Sequence, residues 1–314
     1  MMYKLLRRIK QLAKNEEGTV IVLLAISMVV LAGFTALVTD AGLLFVNHSR
    51  ISNAIDSAVL AGVQELPVNP EQALEIASNY ALRNGMAPEE YEFVITDPYS
   101  IRGTVERQVG FFFAPLLGFN GGQVHSSARA SIKPIVASTG IVPFGVLEGN
   151  YSFGQEVILK EGAGEELHPG WFGALRLGGS GASVYEANVK QGYSAEIKID
   201  DVIEIESGNM SGPTQTGIGY RLNSCCHVPC CQINQFVQGC PRILIIPFIN
   251  IEEIDSEGHP YSVRVVGFGA FLVDSYVGSG NENKVKGRFI RYVAHGKTGE
   301  TSHDYGLYSA ELCE

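Results

Sequence analysis

The chain has 314 residues and lacks the short motifs by which many enzymes can be found from sequence. None of its seven histidines lies in an H-E-x-x-H pattern, and no serine has glycine at both second neighbours, as a nucleophile elbow requires. Gly296-Lys297-Thr298 resembles the end of a phosphate-binding loop, but Arg291 stands where that motif requires glycine. The sequence therefore predicts no catalytic residue, no cofactor and a protein that is not an enzyme.

Basic residues are also scarce beyond the first 18 positions. Residues 1–18 carry five basic and two acidic side chains, a net charge of +3, so a total of −10 leaves −13 on the rest of the chain. Binding of phosphates needs clustered Lys and Arg side chains, which excludes nucleic acid as an expected partner. The acidity itself indicates solubility rather than specific cation binding.

One long segment has no charged residue at all. The 22 residues from Gly18 to Thr39 would form a helix of about 33 Å, close to the thickness of a bilayer hydrocarbon core. Five basic residues precede the segment: Lys4, Arg7, Arg8, Lys10 and Lys14. This asymmetry predicts a cytoplasmic tail at 1–18, a transmembrane helix at 19–39 and everything beyond it outside the cytoplasmic membrane.

Two other interpretations of this segment exist. A cleaved secretory signal has the same ingredients, but its apolar core usually has only 7 to 15 residues. Processing by a prepilin peptidase at Gly18/Thr19 would require a glutamate as the fifth residue after the cut, and Leu23 occupies that position. An uncleaved signal anchor is therefore the favoured interpretation.

The helical pattern continues beyond the span to Leu66, where Pro67 is expected to end it. The result would be a rod of roughly 70 Å, half of it outside the membrane. Ala54, Ala58 and Gly62 recur every four residues and form a smooth stripe for close helix packing. The stripe is expected to pack either on the protein's own domain or on neighbouring subunits.

Three segments are informative together: Glu17-Gly18-Thr19-Val20, Asp40-Ala41-Gly42 and the run from Arg50 to Gly62. Over residues 15 to 65 they make the chain similar to the N-terminal region of TadG-like proteins, members of the tight-adherence (Tad/Flp) pilus-assembly group. The resemblance implies a membrane-anchored accessory or assembly component that contacts other pilus-assembly proteins through its N-terminal helix. The alternatives are a surface adhesive or ligand-binding module with a TadG-like anchor and, third, an exported enzyme.

Full-length TadG proteins often carry a von Willebrand factor A domain with an Asp-x-Ser-x-Ser metal site. The Asp-Ser pairs of this chain do not continue into that motif: Asp56-Ser57-Ala58, Asp255-Ser256-Glu257 and Asp274-Ser275-Tyr276. Metal-dependent adhesion of that type is therefore not expected, and no metal ligand is predicted.

Residues 40–137 are predicted to hold the helix continuation and a small α+β module. Its expected elements are a helix at Asn69–Asn84 and strands at Tyr91–Thr96, Ser100–Arg107 and Gln123–Ile132. The run Phe111-Phe112-Phe113 is expected in the core of this module, with membrane contact as the alternative. Asp40 is expected to be a carboxylate in water at the outer boundary of the span, with contact to a partner or a lipid headgroup as the alternative.

Residues 138–314 are predicted to form an external, mainly-β domain of the sandwich or barrel-like kind, so that the whole chain has an α+β fold. Ile243 to Ile246 is apolar at every position, which is typical of a central strand. Asp200-Asp201 is expected to be a bulge within one strand from Ala195 to Glu206, and Gly178-Gly179-Ser180-Gly181 a hairpin loop.

Five of the six cysteines lie within sixteen residues: Cys225, Cys226, Cys230, Cys231 and Cys240, with Cys313 near the C terminus. An even number of cysteines outside the membrane favours disulfides, in a pattern that the sequence does not determine. A structural metal site with His227 as an additional ligand is the second interpretation, although the spacing is not that of a zinc ribbon. Reduced structural thiols are the third.

Overall fold

The computed structural model describes residues 16–149, 151–160, 173–206, 208–233, 235–254, 260–278, 283–301 and 303–313. The five basic residues of the expected cytoplasmic tail lie outside the described residues.

Four α-helices connect with thirteen strands in the described part of the chain. The helices are α1 (Glu16–Gly62), α2 (Pro70–Arg83), α3 (Ala182–Gln191) and α4 (Ser211–Asn223). The longer strands are β1 (Tyr91–Asp97), β2 (Ser100–Gly110), β3 (Gly121–Ser138), β5 (Glu156–Lys160), β8 (Ile243–Ile254), β9 (Pro260–Val277), β10 (Lys284–Ile290) and β13 (Leu307–Cys313). The short ones are β4 (Val146–Leu147), β6 (Ile197–Lys198), β7 (Val202–Glu204), β11 (Tyr292–Val293) and β12 (Lys297–Thr298). The predicted α+β fold class is confirmed.

Helix α1 is one continuous element of 47 residues, about 70 Å long. Its apolar side chains between Val20 and Val38 are exposed, and none of its most apolar 18-residue window is buried in the protein. From Ile51 onwards one of its faces is buried. A 3₁₀ turn at Val63–Glu65 follows and the chain leaves the helix before Pro67. Helix α1 is thus long and apolar enough to cross a bilayer with its first half.

The second half of α1 packs on α2 and on strands β2 and β3, which together form the small α+β module. Strands β1, β2 and β3 are consecutive antiparallel neighbours, and β2 pairs with β3 from Ser100↔Ser131 to Gly110↔Gly121. Buried apolar side chains from α1, α2 and this sheet form its core. A hydrogen bond of 2.9 Å between Ser52 Oγ and Ser126 Oγ also joins α1 to β3.

The small-residue stripe lies inside this module. Ala54 and Ala58 are buried in one cluster with Ala81 of α2. At Gly62, an added Cβ would lie 2.6 Å from the backbone oxygen of Ala73 and 3.0 Å from Cβ of Ala77. Two packings were considered for Ala54, Ala58 and Gly62, and the structure shows the one within the protein's own module. These residues therefore do not face a helix of another subunit.

Strand β3 is shared between the module and the mainly-β part of the chain. The first sheet has the order β1-β2-β3-β13-β11, and short strands β6 and β12 pair with the end of β3. Strand β13 pairs antiparallel with β3 from Cys313↔Arg129 to Tyr308↔Pro134. The C-terminal strand, which the sequence assigns to the external domain, thus completes the sheet of the module.

The second sheet has the order β4-β8-β9-β10-β5, with β7 paired to β9. In β8, Leu244 and Ile246 face a cluster that includes Tyr185 and Ile218 of the helices α3 and α4, while Ile243 faces a second cluster on the other side. The segment is buried on both faces as expected, but β8 is the second strand of the sheet, beside the two-residue β4, and β9 holds the central position.

Two expectations for the mainly-β region are wrong. Instead of one bulged strand, the chain from Ala195 to Glu206 forms β6 in the first sheet and β7 in the second, and Asp200 takes a left-handed turn between them with φ of 73°. The Gly178–Gly181 segment leads into helix α3 rather than joining two strands. The sequence did not predict helix α4 at residues 211–223.

A leucine at position 58 should destabilise the module. Ala58 is fully buried, and added methylene groups in a packed core typically cost about 1–3 kcal/mol. We expect Ala58→Leu to lower the Tm of the full chain in detergent. The matched control is Ser57→Leu, because Ser57 is exposed on the same helix and should tolerate the change. Equal Tm values for the two variants would contradict the burial of the stripe.

Candidate functional site

The C-terminal end of the apolar span meets the tip of the β2–β3 hairpin. The carboxylate of Asp40 accepts hydrogen bonds from three consecutive backbone N–H groups of that tip. Oδ1 lies 2.7 Å from the nitrogen of Phe112, and Oδ2 lies 2.7 Å from that of Ala114. Phe113 donates to both oxygens, at 3.2 and 3.1 Å. Because Ala114 begins a 3₁₀ turn, Asp40 caps that turn from another element of the chain.

The expectation that Asp40 is a carboxylate in water is wrong. Its residue surface is only 6% exposed, and its charge is stabilised by the three N–H groups. Hydrogen bonds to a charged acceptor are stronger than neutral ones, and a buried carboxylate without such partners would be costly. Asp40 therefore fixes the hairpin tip beside the helix at the end of the span.

The hairpin tip itself is apolar and exposed. Its most exposed side chains are Phe112 (76%), Leu116 (87%), Leu117 (81%) and Phe119 (65%). The expectation that the phenylalanine run lies in the core is therefore wrong for Phe112. A groove of about 730 Å³ lies between this tip and α1, lined almost entirely by apolar side chains of both elements.

The position of the groove along α1 shows how far the tip reaches. Its helix side begins at Ala32 and ends at Leu44. Ala32 lies seven residues before Thr39, the last residue of the uncharged segment, which corresponds to about 10 Å along the helix axis. The tip thus lies alongside the C-terminal third of the apolar span rather than beyond its end.

A second group of functional side chains lies at the far end of α4, in the loop between α4 and β8. Cys225 Sγ lies 3.6 Å from Cys240 Sγ and 3.7 Å from His227 Nδ1. Cys231 Sγ lies 3.2 Å from the same nitrogen. The four ligand atoms of Cys225, His227, Cys231 and Cys240 all lie within 4.8 Å of one another. Cys230 is close as well, with its Sγ 3.5 Å from that of Cys225.

The fold holds these residues from both sides. Cys225 follows the C-terminal end of α4, and Cys240 precedes β8, with a hydrogen bond from the nitrogen of Ile243 to its oxygen. Cys231 and Cys240 are buried and belong to the main core cluster of the mainly-β region. Cys225 and His227 are partly exposed, so the cluster lies at the edge of that core.

The surroundings favour a thiolate at Cys225, whereas burial raises the pKa of the Cys240 thiol to about 12. Burial acts to raise the pKa of the Cys225 thiol, but hydrogen bonds from the backbone N–H groups of Cys231 and His227 outweigh it and lower that pKa to about 5. Arg242 lies under the loop and donates from Nη1 to Cys230 Sγ at 2.8 Å and to the oxygen of Cys231 at 2.9 Å. A fixed guanidinium beside the sulfurs compensates for negative charge on them.

The remaining cysteines are placed differently. Cys226 is exposed next to the cluster, and Cys313 lies on β13, with its Sγ 2.9 Å from Ser131 Oγ. The structure contains none of the expected disulfides among the six cysteines. From the sequence, His227 was expected only as an additional ligand of a possible metal site, because the spacing Cys-x-His-x₃-Cys-x₈-Cys matches no common zinc pattern. It is the turn before β8 that brings Cys240 back to Cys225.

In the described residues, these features are one helix long and apolar enough to cross a membrane, a small α+β module and a β-rich region. Residues 18–65 match the family model Tad, whose description is "Putative Flp pilus-assembly TadE/G-like". The matched segment is α1 with its 3₁₀ extension, so the anchor and the part of the helix that packs in the module are TadE/G-like. No curated protein and no solved structure matched the chain.

Removing the Asp40 carboxylate should release the hairpin tip. Each hydrogen bond to a charged group contributes about 1.5–3 kcal/mol, so Asp40→Ala should increase amide hydrogen exchange at residues 112–114 by roughly tenfold or more. Asp40→Asn keeps one acceptor oxygen and should give an intermediate increase. Asp56→Ala, at another carboxylate of α1, serves as control and should leave exchange in the tip unchanged. Unaltered exchange in Asp40→Ala would contradict the capping role.

Proposed function

We propose that this protein is a membrane-anchored accessory or assembly component of a Tad/Flp-type pilus system. The observation that carries the proposal is the TadE/G-like match over residues 18–65, which coincides with α1. The match supports a role associated with the Tad pilus and includes both halves of that helix.

Contacts with other pilus-assembly proteins would use the membrane half of α1. The stripe of Ala54, Ala58 and Gly62 is occupied by packing within the module. In contrast, the large apolar side chains from Val20 to Val38 are exposed. A partner helix in the bilayer can therefore reach the span without any change in the fold of this chain.

The hairpin tip would enter the outer leaflet beside α1. Phe112, Leu116 and Leu117 expose apolar surface at the level of the span. Contact of this surface with water would be unfavourable. The acyl chains that surround α1 in the bilayer would also fill the groove between the hairpin tip and the helix. With Asp40 as the fixed link, the module would then rest on the membrane surface.

The charge distribution supports an orientation with the N terminus in the cytoplasm. Five basic residues precede the span, whereas its other flank begins with Asp40. Strand β3, the second sheet and the cysteine cluster would then all lie outside.

A reporter fused after Gly140 tests this topology. We expect activity from a reporter that works only outside the cytoplasm and none from a strictly cytoplasmic one. Leu31→Arg, in the middle of the span, should impair insertion by about 3 kcal/mol on translocon scales, whereas Leu31→Ile should have no effect. Activity of the cytoplasmic reporter in the unchanged fusion would refute the orientation.

An exchange of the anchor tests the role in pilus assembly. Deletion of the gene should abolish surface pili, and the unchanged chain should restore them. A chain whose residues 19–39 are replaced by an unrelated apolar span of equal length should reach the membrane at the same level but fail to restore piliation. The failure would arise because the new span lacks the side chains that a partner helix contacts. Normal piliation in the deletion strain would contradict the proposal.

A second candidate function, a ligand-binding surface module, is favoured by one pocket of the mainly-β region. Tyr151, Phe248, Phe289 and Tyr305 line a pocket of about 260 Å³. Glu148 lies at its polar side and accepts a hydrogen bond of 3.1 Å from the hydroxyl of Tyr305. Aromatic walls with one fixed carboxylate suit a small polar ligand. Normal piliation in the deletion strain would favour this function, because the protein would then not be needed for pilus assembly.

A further inference from the structure

We propose that Cys225, His227, Cys231 and Cys240 bind one structural zinc ion. The proposal concerns a site that lies in the loop before β8, far along the chain from the TadE/G-like segment. It is independent of the role in pilus assembly.

The distances fit a tetrahedral zinc ion. With Zn–S bonds of about 2.3 Å and Zn–N bonds of about 2.05 Å, two sulfur ligands lie about 3.8 Å apart and a sulfur and a nitrogen about 3.6 Å apart. The observed separations are 3.6 Å for the Cys225–Cys240 sulfurs, and 3.7 and 3.2 Å from His227 Nδ1 to the sulfurs of Cys225 and Cys231. Three of the six separations are thus close to the tetrahedral values, and the other three are no longer than 4.8 Å.

The groups around the ligands also fit a zinc–thiolate site. The backbone nitrogen of Val237 donates to Cys231 Sγ at 3.4 Å. Backbone N–H groups also donate to Cys225 Sγ, from His227 and Cys231, and to Cys240 Sγ, from Arg242. Such donors orient thiolate ligands and reduce their charge. Three thiolates and Zn²⁺ leave one negative charge, which the Arg242 guanidinium, within hydrogen-bond distance of Cys230 Sγ, can balance.

Four protein ligands leave no position for a substrate or water, so the ion would be structural rather than catalytic. It would fasten the loop from Cys225 to Cys240 to the core, in which Cys231 and Cys240 are already buried. Phe236 of the same loop faces Leu66 of the module across a cleft of about 360 Å³. The ion would therefore keep that side of the loop in place against the turn that follows α1.

Disulfides are the competing state of the same residues. A bonded pair has its sulfurs about 2.05 Å apart, whereas the closest sulfur pairs of the cluster, Cys225–Cys230 and Cys225–Cys240, are separated by 3.5 and 3.6 Å. Both pairs share Cys225, so at most one of them can form. Neither disulfide would use His227, although its Nδ1 faces the sulfurs.

The test is the metal content of the full chain, purified in detergent without chelators or added reductant. We expect one zinc per chain by elemental mass spectrometry. Exchange with cobalt(II) should produce the intense visible absorption of a tetrahedral cobalt–thiolate centre. Zinc content should fall at least tenfold in Cys231→Ser and in His227→Ala. The matched control is Cys226→Ser, which changes an exposed cysteine beside the site and should retain full zinc.

Peptide mapping under non-reducing conditions decides against the proposal if it finds Cys225 bonded to Cys230 or Cys240 in a chain without zinc. Stoichiometric iron instead of zinc would equally overturn it. The cobalt spectrum of the unchanged chain keeps the test valid if a variant fails to fold, because a protein that cannot form the centre gives only the weak absorption of hydrated cobalt(II).

Discussion

The continuity of α1 is the constraint on which the rest of the structure depends. A segment that crosses a bilayer must satisfy its backbone hydrogen bonds internally, and a helix does so without any partner. Here the same helix continues for more than 20 residues beyond Thr39 and becomes part of a protein core. The side chains along it change accordingly, from exposed apolar residues before Asp40 to a buried face from Ile51 onwards.

Asp40 marks the point where this change begins, and it determines how the module sits on the helix. Its carboxylate holds the β2–β3 tip against α1, while Ala54, Ala58 and Gly62 permit close packing against α2 farther out. Strand β3 then leads into the mainly-β region, and β13 returns from it to pair with β3. The mainly-β region is therefore joined to the module through a shared sheet.

The membrane-proximal half could largely be predicted from the sequence, because its signals are local. The uncharged segment, the four-residue spacing of small residues and the alternation in β1–β3 each depend on neighbouring positions. Helices α3 and α4 could not be predicted in the same way. The α4 segment is rich in Gly, Ser and Thr, and α3 directly follows the Gly-rich turn at 178–181. Their helicity depends on tertiary contacts such as that of Gly217, where an added Cβ would lie 2.4 Å from Val189. The Cys225–Cys240 contact likewise depends on the fold, and the role of Asp40 depends on a hairpin tip more than 70 residues away.

The central claim is that α1 and the hairpin tip enter the same leaflet while the outer half of α1 lies in the module above it. Nitroxides attached through a ketone amino acid, which spares the native cysteines, can be placed at positions 37, 116 and 57 of the chain in lipid vesicles. Their accessibility to oxygen, which concentrates in lipid, and to a water-soluble nickel reagent measures depth. The account predicts that labels at Leu37 and Leu116 are accessible to oxygen at similar depth and that the label at Ser57 is accessible to nickel. A label at Leu116 as accessible to nickel as the one at Ser57 would contradict it.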